Sequence, residues 1–222
     1  MKIKGAIFDM DGTLINSLTF FPYFWRSIGI KYKNDPSFRP AEEIDKGFRT
    51  MVFKQALIRL KDFYRFPGEA EELFRFADDC LRSFYRDGAT VKPGAFALLD
   101  HLKSKKIPLV LASATAKAEV CFALSCHGLL NYFEDVFSCA DLGKGKEHPD
   151  VYRAAIAKMG LSPSEVCVFE DSFVALETAK KEGFLTAGIY DAGNFDQERL
   201  KASADVYLEE GKPLSDLIPC VE

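Results

Sequence analysis

The sequence predicts an α/β protein, a doubly wound parallel sheet interrupted after its first strand by a helical insertion. Three observations carry that reading. From Val91 onward, short apolar runs alternate with amphipathic stretches, the pattern of strand and crossover helix in a parallel sheet. An isolated apolar run at residues 3–8 supplies a further strand of the same kind. Between the two, residues 15–90 hold no convincing strand, yet contain more than half of the chain's aromatic residues.

Taken in order, residues 3–8 form the first strand, stopped by Asp9-Met10-Asp11-Gly12, where two carboxylates and a glycine cannot continue a buried run. In the insertion, Phe48, Met51, Val52, Leu57 and Leu60 recur at helical spacing, as do Leu73, Phe74, Ala77, Leu81 and Phe84. Residues 16–90 therefore read as a small helical domain with an aromatic core. Residues 1–15 and 91–222 are left to the Rossmann-like α/β core. There, residues 107–112, 135–139, 165–169, 185–189 and 205–208 are short, apolar and partly β-branched, as strands are. Pro93 opens a helix that gathers Ala95, Leu98, Leu99 and Leu102 on one face. Pro149-Asp150 opens another, with Tyr152, Ala155, Ile156 and Met159 on one stripe and Gly160 as its stop, and a third spans residues 172–183.

Bulk properties narrow the function classes. A chain of 222 residues, 48% hydrophobic and 28% charged, can bury one substantial core and a small inserted one. A formal charge of −4 leaves no electrostatic footprint for nucleic acid or an acidic membrane. Charged residues break every apolar stretch before it reaches spanning length, and the N-terminal run is too short and wrongly flanked for a signal peptide. The six cysteines are scattered, with no Cys-x-x-Cys and no zinc spacing, as expected of packing thiols in a reduced, cytoplasmic protein.

Chemistry-bearing residues recur at one place, the carboxyl ends of the expected strands, where open α/β sheets bind their ligands. Asp9 and Asp11 follow the first strand, Ser113-Ala114-Thr115 the second, and Glu170-Asp171-Ser172 the run at 165–169. Asp141 and the loop Gly143-Lys144-Gly145-Lys146-Glu147-His148-Pro149-Asp150 follow the run at 135–139. Two carboxylates one residue apart repel unless a cation or a shared proton intervenes, so Asp9-x-Asp11 suggests a metal site, a nucleophile beside an acid/base, or both; a solvated turn is the bland alternative. Oxygen ligands from Asp9 and Asp171 suit Mg²⁺. Lys146 supplies fixed positive charge, and Ser113 a hydrogen bond to a phosphoryl oxygen. A carboxylate attacking phosphorus makes an aspartyl-phosphate, with a second carboxyl group to protonate the leaving alkoxide and activate water. Asp9 then Asp11 fits that division.

Four segments also resemble the motifs of the haloacid dehalogenase-like hydrolase superfamily, in the branch with a helical cap after the first strand. They are Asp9-Met10-Asp11-Gly12-Thr13-Leu14-Ile15-Asn16-Ser17, Leu111-Ala112-Ser113-Ala114-Thr115, Gly145-Lys146-Glu147-His148-Pro149-Asp150-Val151-Tyr152 and Val168-Phe169-Glu170-Asp171-Ser172. The resemblance implies Asp9 as nucleophile and Asp11 as acid/base and, through its carbonyl, a metal ligand. It also implies substrate contacts from Ser113, Ala114 and Lys146, and Mg²⁺ ligation by Asp9 and Asp171 with Glu170 beside them. The dehalogenases that name the superfamily lack the second Asp, so Asp11 points to phosphoryl transfer.

The branch includes phosphoglycolate phosphatases and β-phosphoglucomutases. The mutases share the Ser-Ala and Glu-Asp pairs but carry a cap histidine near the place that Phe21 holds here, and no histidine precedes His101. The departure favours hydrolysis. The expectation is a Mg²⁺-dependent phosphatase acting on a small phosphorylated metabolite, a monomer or weak homodimer, with Arg49 as a candidate substrate contact in the cap. A sugar phosphomutase and a non-catalytic binding module are the alternatives.

Overall fold

A computed structural model describes residues 1–50 and 53–221; the side chains of residues 46, 47, 49 and 50 lie outside that description, as do Met51 and Val52. The chain divides into two compact units, Met1–Leu18 with Thr90–Glu222, and Thr19–Ala89.

The larger unit is built on one sheet of six parallel strands: β1 (Gly5–Phe8), β2 (Leu109–Ser113), β3 (Asp135–Ser138), β4 (Val166–Glu170), β5 (Leu185–Ile189) and β6 (Val206–Leu208). Their order is β3-β2-β1-β4-β5-β6, so the chain winds outward from β1 first to one side and then to the other. β1, β2 and β4 are buried along their whole length, as central parallel strands covered on both faces must be. On one face Ile7, Val110 and Val168 join Val151, Tyr152 and Ala155 in a single apolar cluster. On the other, register partners Phe8 and Phe169 stack with ring centroids 4.2 Å apart. Edge strand β6 has three residues, too short to template pairing with another chain.

The smaller unit is helical, with α1 (Phe20–Ile28), α2 (Glu42–Thr50), α3 (Phe53–Tyr64) and α4 (Ala70–Asp87). Phe20, Phe24, Trp25, Phe48 and Phe84 are buried in it, so the aromatic density of the insertion builds its core. Trp25 packs edge-on against Phe48 at 4.9 Å, and its indole N–H donates to Asp45 at 2.8 Å. α1 runs into a π-helical turn at Gly29–Lys33, where Gly29 is required because a Cβ there would lie 2.1 Å from the Asp35 carbonyl oxygen.

Returning to the larger unit, the crossover helices are α5 (Ala95–Ser104), α6 (Lys117–Cys126), α7 (Cys139–Leu142), α8 (Asp150–Met159), α9 (Phe173–Lys181) and α10 (Gln197–Ser203). α8 packs on β1, β2 and β3, and α9 on β4 and β5. Residues 14–16 and 90–92 run beside one another within this unit. Ile15 bridges Val91, the Asn16 N–H donates to the Thr90 carbonyl at 2.8 Å, and the Lys92 N–H donates to that of Leu14 at 2.8 Å.

The boundaries differ from the sequence reading in an instructive way. β2 ends on Ser113 and β4 on Glu170, one residue later than apolar character indicates. Both side chains are polar yet buried, and the ladder carries them opposite Ser138 and Gly188. The segment after β3 is not a plain loop: the Ser138 hydroxyl accepts from the Asp141 N–H and caps α7. All six cysteines are free, and among the described residues no helix is long and apolar enough to cross a membrane.

Candidate active site

The turn after β1 sets the first two carboxylates. Asp9 extends the ladder by one bond, its N–H donating to the Phe169 carbonyl at 3.0 Å. The Met10 carbonyl then accepts from the N–H groups of Leu14 and Ile15, folding the chain back on itself. Gly12 sits at φ +84°, and a Cβ there would lie 2.2 Å from Asp171 Oδ2, so the turn requires a residue without one.

Around this turn the sheet edge gathers a charged cluster. Asp9, only 5% exposed, accepts from Lys146 Nζ at 2.6 Å, and the same ammonium donates to Glu170 Oε2 at 2.6 Å. Glu170 Oε1 takes the Ser172 N–H at 3.1 Å. Asp171 is held on both oxygens, Oδ1 by the Thr13 hydroxyl at 2.9 Å and Oδ2 by the Asn194 amide at 2.5 Å. Oxygens of Asp9, Glu170 and Asp171 lie within 4.8 Å of one another. Asp11 points to a second set of partners: the Ser17 hydroxyl donates to its Oδ1 at 2.6 Å and the Thr115 hydroxyl to its Oδ2 at 2.9 Å. Ser113 is buried, and its hydroxyl accepts the Thr115 N–H at 3.0 Å rather than capping α6. Ala114, next to it, is exposed.

Electrostatics set the cluster apart from an ordinary ion pair. Burial raises the Asp9 carboxyl well above the usual carboxylate range; Lys146 opposes this, while Glu170, Asp171 and Asp11 add to it. Asp171 is pushed up to about 8, chiefly by burial and then by the Glu170 charge. Burial alone would lower Lys146, but Asp9 and Glu170 outweigh it and raise it further. Once ionised, the three packed carboxyl groups outnumber the one ammonium that bridges two of them. A donor set of oxygens only, which a cation would bind in place of protons, fits a hard divalent cation such as Mg²⁺. The nearby Cys139 thiol is pushed up to about 11 by burial, which keeps it protonated and inert as a nucleophile.

A family model of the haloacid dehalogenase-like hydrolases matches residues 3–183. The chain belongs to that family. This haloacid dehalogenase-like hydrolase is 30% identical to hexitol phosphatase A of Escherichia coli over 174 residues, 78% of this chain and 76% of that protein. It is 24% identical over 181 residues to the phosphorylated carbohydrates phosphatase of Thermotoga maritima, 82% of each chain. Among solved structures, CbbY of Rhodobacter sphaeroides in complex with phosphate shares the fold with a TM-score of 0.78, covering 97% of this chain and 96% of that one at 22% identity.

In this hydrolase the residues singled out from the sequence do not all meet. Asp9, Lys146, Glu170 and Asp171 share one cluster, with Asp11 and Ser113 linked through Thr115. The Asp11 side chain is not part of the three-carboxylate group, because Ser17 and Thr115 engage it elsewhere. Arg49 belongs to α2, but its side chain lies outside the described residues. Sequence reasoning missed Thr13, Ser17 and Thr115 as partners, although all three lie in or beside the motifs. It also missed Lys92, Asp191 and Asn194. The last two follow β5 and would have been found by applying the carboxyl-end rule to that strand too; Lys92 carries no such signal.

Proposed function

We propose that this hydrolase is a Mg²⁺-dependent phosphatase that releases phosphate from a small phosphorylated carbohydrate through an aspartyl-phosphate on Asp9. The observation that carries the reading is the buried cluster in which Lys146 bridges Asp9 and Glu170 beside Asp171. The hexitol and carbohydrate phosphatases among its relatives support the substrate class. Six free cysteines fit a cytoplasmic setting.

Asp9 and Asp171, with Glu170 beside them and the Asp11 carbonyl, would hold the metal. When bound, Mg²⁺ offsets the charge of the phosphoryl oxygens, so that a carboxylate can approach phosphorus. Lys146 keeps Asp9 oriented and presents positive charge to the transferring group. The Asp9 carboxylate attacks phosphorus, and the bond to the sugar oxygen breaks. Asp11 gives that oxygen its proton, then takes one from the water that hydrolyses the acyl phosphate. Ser113 and the exposed Ala114 position line the end of β2, where a phosphoryl oxygen can meet hydrogen-bond donors. The Ser17 and Thr115 hydroxyls can each donate to or accept from Asp11, so both of its protonation states keep their partners.

The test is phosphate release from a panel of hexitol, hexose and pentose phosphates, with Mg²⁺ and with EDTA. Asp9→Asn is expected to lower kcat by at least about a thousandfold, since it removes the nucleophile, while leaving the thermal unfolding profile intact. Release in EDTA equal to that in Mg²⁺ would overturn the metal assignment. Isomerisation of a sugar phosphate in place of release, on adding a sugar bisphosphate, would make the protein a mutase.

A further inference from the structure

The carboxylate of Asp171 is clamped from two sides, and only one clamp comes from the motif-bearing segments. Thr13, in the turn after β1, takes Oδ1. Asn194, in the loop after β5, uses its side-chain nitrogen twice, donating to Oδ2 at 2.5 Å and to the Asp171 main-chain carbonyl at 2.9 Å. The main-chain carbonyl can only accept, so the group facing Asp171 must be the NH₂, one hydrogen of which serves that carbonyl and the other the ionised carboxylate at Oδ2. One amide thus spans the backbone and the side chain of a single residue, which fixes the Asp171 rotamer.

Asn194 is itself held by a built turn. Its N–H donates to the Asp191 carbonyl at 3.1 Å, and the Gly193 N–H donates to Asp191 Oδ1 at 2.8 Å. Asp191 Oδ2 pairs with Lys92 Nζ at 2.9 Å, both side chains being about nine-tenths buried, and Lys92 also donates to the Tyr190 carbonyl at 2.8 Å. The Gln197 amide donates to the Asp191 carbonyl at 2.9 Å. A buried ion pair satisfied in this way is costly to break and so keeps the turn in one conformation.

We propose that Asn194 is a positioning residue for metal binding, setting Asp171 in its ligating orientation from a turn anchored by the Lys92–Asp191 pair, an inference that rests on the metal site proposed above. A partner that orients a ligand without touching the metal characteristically contributes roughly ten- to a hundredfold in affinity.

The experiment titrates the full chain with Mn²⁺ as an EPR-visible probe and records thermal unfolding in EDTA. Wild type is compared with Asn194→Ala and with Asn194→Leu, which keeps the shape and removes the donors. Both variants are expected to bind Mn²⁺ roughly ten- to a hundredfold more weakly, with the metal-free Tm lowered by no more than about 4 °C. Unchanged Mn²⁺ affinity would overturn the inference and leave the metal site standing. A loss of affinity matched in both variants by collapse of the metal-free Tm would make Asn194 a loop-holding residue and overturn it as well. Absence of Mn²⁺ binding by the wild type would remove the site itself.

Discussion

At the scale of single residues, the cluster behaves as a set of charges awaiting compensation. Asp171 has a pKa of about 8 in the metal-free fold against an ordinary 3.8, so the folded state holds a proton that the unfolded chain has lost in between. Stability falls with pH wherever the folded state binds more protons. In EDTA the Tm is therefore expected to drop as pH rises through the interval from about 4 to about 8. Mg²⁺ requires the deprotonated ligand, so its stabilising effect is expected to be small at the acid end and large at the alkaline end. Differential scanning fluorimetry at pH 5 and pH 8, with and without Mg²⁺, checks this; an equal Mg²⁺ shift at both would sever the metal from Asp171. Gly12 tests the same carboxylate from the backbone side. Gly12→Ala places an L-residue at φ +84° and a methyl group against Asp171 Oδ2. The left-handed conformation alone costs about 1–2 kcal/mol. The expected outcome is a lower midpoint in urea together with a higher Mg²⁺ concentration for half-maximal activity. A fall in stability with normal Mg²⁺ saturation would show that the carboxylate moves aside freely.

At the scale of elements, the hydroxyl of Ser138 joins the end of β3 to the turn after β2, because it donates to the Thr115 carbonyl at 2.9 Å. Thr115 in turn holds Asp11, so the outer strand supports the Asp11 side chain through two bonds. Ser138→Ala removes that donor and the cap on α7 together, at a cost of about 1–3 kcal/mol. Urea unfolding measures the loss, and an unchanged midpoint would mean that the Thr115 carbonyl and the Asp141 N–H both find other partners. Elements of this kind differ in how far they were legible. β1, β2, β4 and β5 announce themselves as apolar runs, since a covered parallel strand leaves no polar face. Ser113 and Glu170 mislead at the boundary, because a polar residue inside a ladder looks like the start of a loop until its partner is known. α6 could not be bounded from the sequence: Cys121 and Phe122 lie beside the buried Val120, Ala123 and Leu124 and blur the stripe. α10 is seven residues long with one buried side chain, Leu200, too little for any period. The carboxylates were legible because their chemistry is rare at a strand end. Asn194 and Lys92 were not, because an amide and a lysine acquire their role only from the partner that tertiary structure brings to them.

At the scale of the whole molecule, the helical unit departs and returns at neighbouring points of the larger one, where Ile15 bridges Val91. Ser17, a partner of Asp11, lies on the outgoing connection. The winding of the sheet has a different kind of consequence. β1 lies between β2 and β4, with Ile7 opposite both Val110 and Val168, so it is synthesised long before either neighbour exists. Pairings so distant along the chain close slowly, whereas neighbouring helices form from local contacts. Trp25, the one tryptophan, sits in the helical unit. During refolding its fluorescence should recover before phosphatase activity returns. Simultaneous recovery would mean that the insertion waits for the sheet. The central strand that leads into Asp9 is thus made first and, among its neighbours, completed last.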